Sequence, residues 1–173
     1  MKFFFSTLLF IINRVILAFF CLYIFFLLVL YFFQESLIFF PQSPTMMTQT
    51  GEIDRIDYDI WEVRLSWFIR KGDWPTYLYF WGNASEAYRS LSSLSMSGTI
   101  LTFNYRWYGS SSGKPSEKNL FSDAILLYDL LQKDGLLVQK DTILFGRSLW
   151  SGVASYLSSM RPSRAIILVT PFD

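Results

Sequence analysis

The sequence has 173 residues, 15 basic and 14 acidic, with 52% hydrophobic and 20% aromatic residues, one cysteine and no histidine. A net charge of +1 leaves no basic face for nucleic acid, and one cysteine excludes an internal disulfide framework or a cysteine-based zinc cluster. Without histidine the commonest general base and the commonest metal ligand are missing, so no metal or cofactor is expected and any hydrolytic chemistry must be unusual or incomplete.

The apolar residues are concentrated at the start, where residues 1–40 hold 12 of the 18 phenylalanines. From Val15 to Phe33 no charge occurs. As a helix rising about 1.5 Å per residue, that stretch matches a hydrocarbon core of about 30 Å. A helix satisfies its own backbone groups, so it can sit in lipid. Arg14 would be costly at mid-membrane and is placed at the interface, with residues 3–13 in or near the headgroups. Two readings compete with an anchor: a buried core helix and a cleaved signal. A signal needs a shorter core and a small-residue cleavage site, and Tyr31, Phe32, Phe33 and Gln34 offer none. Residues 1–34 are therefore expected to form a transmembrane anchor that meets the bilayer through residues 15–33. Cys21 would be an apolar filler within it. Lys2 and Arg14 precede the span and only Glu35 follows closely, which places the N-terminus in the cytoplasm and the rest outside it, in the periplasm of a bacterium.

Residues 35–51, with Pro41 and Pro44, read as a polar linker. Residues 62–70 then alternate, with Val63, Leu65, Trp67 and Ile69 on one face and Phe68 the misfit on the other, which predicts a half-buried strand. Lys71-Gly72-Asp73 is a turn signal, so the next strand is expected to return antiparallel. Short apolar runs follow at 76–81, 99–104, 141–145 and 165–169. Between them Ala84, Ala87, Tyr88, Leu91 and Leu94, then Leu120, Ala124, Tyr128 and Leu131, then Val153, Ala154, Leu157 and Met160 recur at helical spacing. Strand–helix alternation with near-continuous apolar strands predicts an α/β fold over 52–173, a mostly parallel sheet flanked by helices.

Chemistry in such sheets gathers at the carboxyl ends of the strands. Gly146-Arg147-Ser148-Leu149 places a serine between a strand and a helix, where a sharp turn exposes its hydroxyl and offers the next backbone N–H to a reacting oxygen. Trp81-Gly82-Asn83-Ala84 leaves a strand through a turn that can offer a second N–H. For Asn83 there is also a plain structural role, an N-cap in a capping box with Glu86. The stretch Asn104-Tyr105-Arg106-Trp107-Tyr108-Gly109 leaves the next strand and runs through Ser111, Gly113, Pro115, Ser116 and Glu117 into a helix.

Together these motifs resemble the α/β-hydrolase superfamily, and within it the membrane-anchored, serine-aminopeptidase-like branch of serine hydrolases, over residues 35–173. The resemblance implies that Ser148 is the nucleophile toward an ester, thioester or amide of an acyl-type small molecule or peptide. It implies that the N–H groups of Leu149 and Asn83 form the oxyanion hole. Arg106 and Tyr108 are expected to anchor their loop. Two departures stand out. Trp150 occupies a position where the family has glycine, so that the elbow has shifted, the indole covers the oxyanion site, or the site is no longer needed; Trp107 also stands where a small residue is usual. The family's acid and histidine follow the serine in sequence, and this chain has no histidine. Asp173 is expected to be a loop residue rather than the acid, and Lys118, Lys133 and Lys140 to lie on surfaces.

Three expectations follow: the N-terminal portion of a serine hydrolase, inactive as it stands; a non-catalytic, membrane-tethered binding module whose cleft is lined by Trp81, Trp107 and Trp150; or a decayed remnant.

Overall fold

A computed structural model of the chain describes residues 2–47, 51–60 and 62–171, with the side chains of residues 2 and 3 left undescribed. The chain divides into two compact units, Met1–Ile38 and Phe39–Asp173.

The first unit is one helix, α1 (Lys2–Ile38), with Phe4–Ile38 long and apolar enough to cross a membrane. It runs unbroken through Arg14, whose guanidinium lies 4.9 Å from the centre of the Phe10 ring. The helix therefore joins the apolar stretch before Arg14 to the uncharged stretch after it.

The second unit is built on six strands: β1 (Ile53–Ile60), β2 (Val63–Arg70), β3 (Thr76–Phe80), β4 (Thr99–Phe103), β5 (Thr142–Arg147) and β6 (Ala165–Val169). Their order across the sheet is β1-β2-β4-β3-β5-β6. The β1–β2 and β2–β4 pairs are antiparallel, whereas β4–β3, β3–β5 and β5–β6 are parallel. The helices are α2 (Ala87–Ser92), α3 (Glu117–Lys133) and α4 (Ser151–Met160).

Strand β2 differs from the half-buried expectation. Leu65, Ser66, Trp67, Phe68 and Ile69 are all buried. Phe68 packs on Tyr88 of α2, and Arg70 donates to the carbonyls of Leu91, Leu94 and Met96 at the end of α2. Trp67, on the opposite face, stacks on Phe103. Phe68 is therefore no misfit; the strand is covered on both sides. The strand after the 71–73 turn, β3, runs antiparallel to β2 as expected but does not pair with it, because β4 inserts between them.

The sheet core is aromatic. Phe103 touches Trp67, Phe80 and Tyr105, with ring centroids 4.9, 5.7 and 4.9 Å away. Each such burial contributes about 1.5–3 kcal/mol. Helices α3 and α4 meet through Phe121 stacked on Tyr156 at 4.2 Å. After β3 the chain moves to one side of that strand, to β4, and then returns past it to β5. That reversal opens a crevice at the carboxyl ends of β3 and β5, where α/β sheets place their sites.

Candidate active site

Strand β5 ends at Arg147, and the chain turns through a short 3-10 segment, Ser148–Trp150, into α4. Ser148 has φ +55°, a left-handed conformation that costs a non-glycine residue about 1–3 kcal/mol and persists where its surroundings over-determine it. Two contacts do so. The Ser151 hydroxyl donates to the Ser148 carbonyl at 2.6 Å. At Gly146 the start of α4 presses so closely that an added Cβ would lie 2.7 Å from the Ala154 Cβ and 2.8 Å from the Ser151 Cα. Ser148 is half-buried, and among the described residues its hydroxyl has no hydrogen-bond partner.

Ser148 opens onto a cleft of about 500 Å³. Tyr79, Gly82 and Asn83 form the wall that leaves β3; Ser85, Arg89, Ser90, Ser93 and Leu94 come from α2 and its flanks; Arg147 and Ser148 complete it. The serine and the Gly82-Asn83 turn thus share one cavity. Leu149 follows Ser148 in the turn and packs partly against the core.

Asn83 is held from both sides. The Tyr108 hydroxyl donates to its Oδ1 at 2.6 Å, and the Phe40 and Ala84 N–H groups donate to the same atom at 3.3 and 3.0 Å. The capping-box expectation for Asn83 is corrected here. Helix α2 begins at Ala87 and its cap is Glu86, whose carboxylate accepts from the N–H groups of Tyr88 and Arg89. Asn83 lies too far upstream, because Ala84 turns left-handed (φ +56°) before the helix starts. Buried Asn104 completes the arrangement, accepting from the Ala87 N–H at 2.8 Å and donating to Glu86 at 3.0 Å.

The loop after β4 is an anchor, as expected. Arg106 makes a two-pronged pair with Asp123 of α3 at 2.8 and 2.7 Å, and that hydrogen bond raises the Arg106 pKa. Tyr108 also accepts from the Phe40 N–H at 3.0 Å. Burial pushes its phenol up to about 12, although the Phe40 contact pulls the other way. It therefore remains a neutral donor to Asn83 at ordinary pH. The Phe40 contact belongs to residues 39–42, inside the expected linker. Phe39 is buried against Trp150, with centroids 6.0 Å apart, and the Gln42 carbonyl accepts from the Gly109 N–H at 2.8 Å. A run of two aromatics ending the apolar segment was the one sequence signal for this strap.

Trp150 does not cover the cleft. It is fully buried, stacked on Tyr105 at 3.8 Å and set edge-on to Tyr108. Trp81 is buried too, donating to the Phe103 carbonyl at 2.8 Å, and Trp107 is exposed but away from the cleft wall. The expectation of a tryptophan-lined cleft is thus corrected: two of the three indoles serve the core and the lining is polar. Among the described residues, no lysine, aspartate or glutamate lines the cleft. Lys118 and Lys133 are exposed on α3, and exposed Lys140 precedes β5, at the end of that strand remote from Ser148. Asp173 lies outside the described residues. Among the described residues no group of carboxylates and cysteine is placed to hold a metal ion.

No family model matches the chain. A zebrafish (Danio rerio) protein named lysophosphatidylserine lipase ABHD12 is 36% identical over 111 residues, covering 57% of this chain and 28% of the relative. The Arabidopsis thaliana α/β-hydrolase domain-containing protein WAV2 is 28% identical over 156 residues, 79% of this chain and 50% of that one. The crystal structure of an α/β-hydrolase from Vibrio vulnificus superposes with a TM-score of 0.62 and 25% identity, over 71% of this chain and 47% of that chain. The chain belongs to the α/β-hydrolase superfamily. It spans half or less of the length of these relatives. The same hydrolase fold, at 17% identity and a TM-score of 0.53, also appears in a haloalkane dehalogenase from Bradyrhizobium elkani, so the fold alone does not select the reaction.

Proposed function

We propose that the chain is a serine hydrolase in which Ser148 carries the acyl group. The Ser148 oxygen attacks the substrate carbonyl carbon, the N–H groups of Leu149 and Asn83 hold the oxyanion, and the leaving group departs with the serine proton. Water then attacks the acyl-enzyme, and the acid leaves with Ser148 regenerated. The observation that carries this reading is the strained φ of Ser148 at the β5–α4 turn, on the same cleft as the Gly82-Asn83 turn. A left-handed serine between a strand and a helix suits a nucleophile elbow, whereas a helix-capping serine takes extended backbone, as Ser116 does with φ -154°. A carboxylic ester is the first substrate class to test, since a relative is named a lipase; thioesters and amides are the others.

The proposed base is not among these 173 residues, which contain no histidine. Loss of the base costs a serine enzyme about 10⁴–10⁶-fold in rate, so these residues by themselves are expected to turn over poorly. The same fact favours a second reading, a cleft that binds without catalysis. A fluorophosphonate probe separates the two. Full-length chain in membranes is expected to label slowly, faster with added imidazole as a substitute base, and Ser148→Ala is expected not to label at all. No Ser148-dependent labelling with or without imidazole overturns the hydrolase reading. We further propose that α1 spans the bilayer with its N-terminus cytoplasmic, on the strength of Lys2 and Arg14 preceding the longest uncharged stretch.

A further inference from the structure

The chain has nine arginines, and seven of them are engaged. Arg55, Arg64, Arg106 and Arg161 pair with carboxylates, Arg70 donates to three carbonyls, and Arg14 and Arg164 lie over aromatic rings. Arg89 and Arg147 are the exceptions. Among the described residues neither guanidinium has a hydrogen bond, an ion pair or a ring contact. Both line the cleft that contains Ser148. Arg147 precedes the serine, and its side chain lies over the Gly82 turn, with its Cδ 4.0 Å from where a Cβ on Gly82 would stand. Arg89 faces the cavity from α2, where the Ser85 and Ser90 hydroxyls, 2.8 Å from each other, add neutral polar groups.

From this placement we infer that Arg89 and Arg147 form a subsite for a phosphate ester on the substrate whose acyl group reaches Ser148, an inference that rests on the proposed role of that serine. Two positive charges that have no acid beside them among the described wall residues attract an anion of matching charge. A carboxylate is satisfied by one guanidinium fork, whereas a phosphate presents oxygens in several directions and can take donors from two elements at once. The arginines stand on separate elements, α2 and the end of β5. The neutral polar lining suits a hydrated headgroup better than an acyl chain.

The test is calorimetric titration of the full chain, held in phosphatidylcholine nanodiscs, with glycerol 3-phosphate, acetate, glycerol, inorganic phosphate and 1-hexanoyl-glycerol 3-phosphate. The wild type and Ser148→Ala are expected to bind glycerol 3-phosphate but neither glycerol nor acetate. Arg89→Gln and Arg147→Gln should each weaken that binding by about five- to tenfold, and the double variant should lose it. The acylated phosphate should bind more tightly than inorganic phosphate. Equal affinity for those two points to free phosphate and overturns the substrate assignment, as does acetate binding as tightly as glycerol 3-phosphate. Absence of glycerol 3-phosphate binding, or binding unchanged in the double variant, overturns the subsite. Failure of the hydrolase reading is distinguishable: arginine-dependent phosphate binding without any Ser148 labelling removes the reaction but leaves the anion site.

Discussion

At the scale of single residues, the candidate site is a set of strained or buried groups held by neighbours remote in sequence. Ser148, Ala84 and Trp107 all take left-handed backbone conformations, and all lie in loops at the carboxyl ends of strands. Tyr108 shows how the loops are tied together, since its hydroxyl bridges Asn83 and the Phe40 N–H. Tyr108→Phe removes both hydrogen bonds and is expected to cost about 1–3 kcal/mol at pH 8. The pH dependence has a definite sign. The folded pKa of about 12 stands above the unfolded value of about 10, so the phenol contributes stability that is fully present below pH 10 and is lost as pH rises through 12. The stability gap between wild type and Tyr108→Phe, read from denaturant midpoints in detergent, should therefore be widest at pH 8 and shrink above pH 10. A gap constant to pH 11.5 contradicts this role. Tyr108 was legible as a loop anchor from its motif, but its partner Phe40 was not, because no local periodicity links residues 68 apart.

At the scale of elements, the decisive contact is α4 against β5. The sequence puts a serine between strand and helix there, as the structure does, but it puts the tight spot in the wrong place. Trp150 reads locally as an indole where side-chain volume is not tolerated, yet it fills a pocket between Phe39, Tyr105 and Tyr108. The close approach falls before the serine, at Gly146, while Gly152 after it has open space. Packing against Phe39 is invisible to a window of ten residues, whereas strand–helix alternation is not, which is why the α/β fold was readable and the role of this tryptophan was not. Gly146→Ala puts a methyl against backbone that cannot swing away. It is expected to lower stability by about 1–3 kcal/mol and to reduce Ser148 labelling by displacing the turn. Thermal unfolding and probe labelling of the same preparation check both; wild-type values for the two would show that α4 is not pinned at this point. The strand β1 escaped the sequence reading for a related reason: its burial follows no strict alternation, and its pairing with β2 supplies the order that its own residues do not.

At the scale of the whole molecule, an apolar helix and a hydrolase-fold unit sit in one chain, and their chemistry differs enough that the boundary was visible in composition. The helix ends at Ile38 and the next residue, Phe39, is already part of the hydrolase core. Under the proposed topology, the side of the membrane on which the fold resides follows from the charges flanking the helix. Those charges, Lys2 and Arg14 before the span and Glu35 after it, favour a cytoplasmic N-terminus. The chain offers its own control for testing this, because its single cysteine, Cys21, lies within the apolar helix. Wild-type chain in intact spheroplasts is expected to resist a membrane-impermeant maleimide, with Cys21 shielded by lipid. Lys118→Cys, at an exposed position on α3, should react with the same reagent from outside. Labelling of Lys118→Cys only after permeabilisation would reverse the orientation. Labelling of Cys21 itself would mean that the helix does not lie in the bilayer.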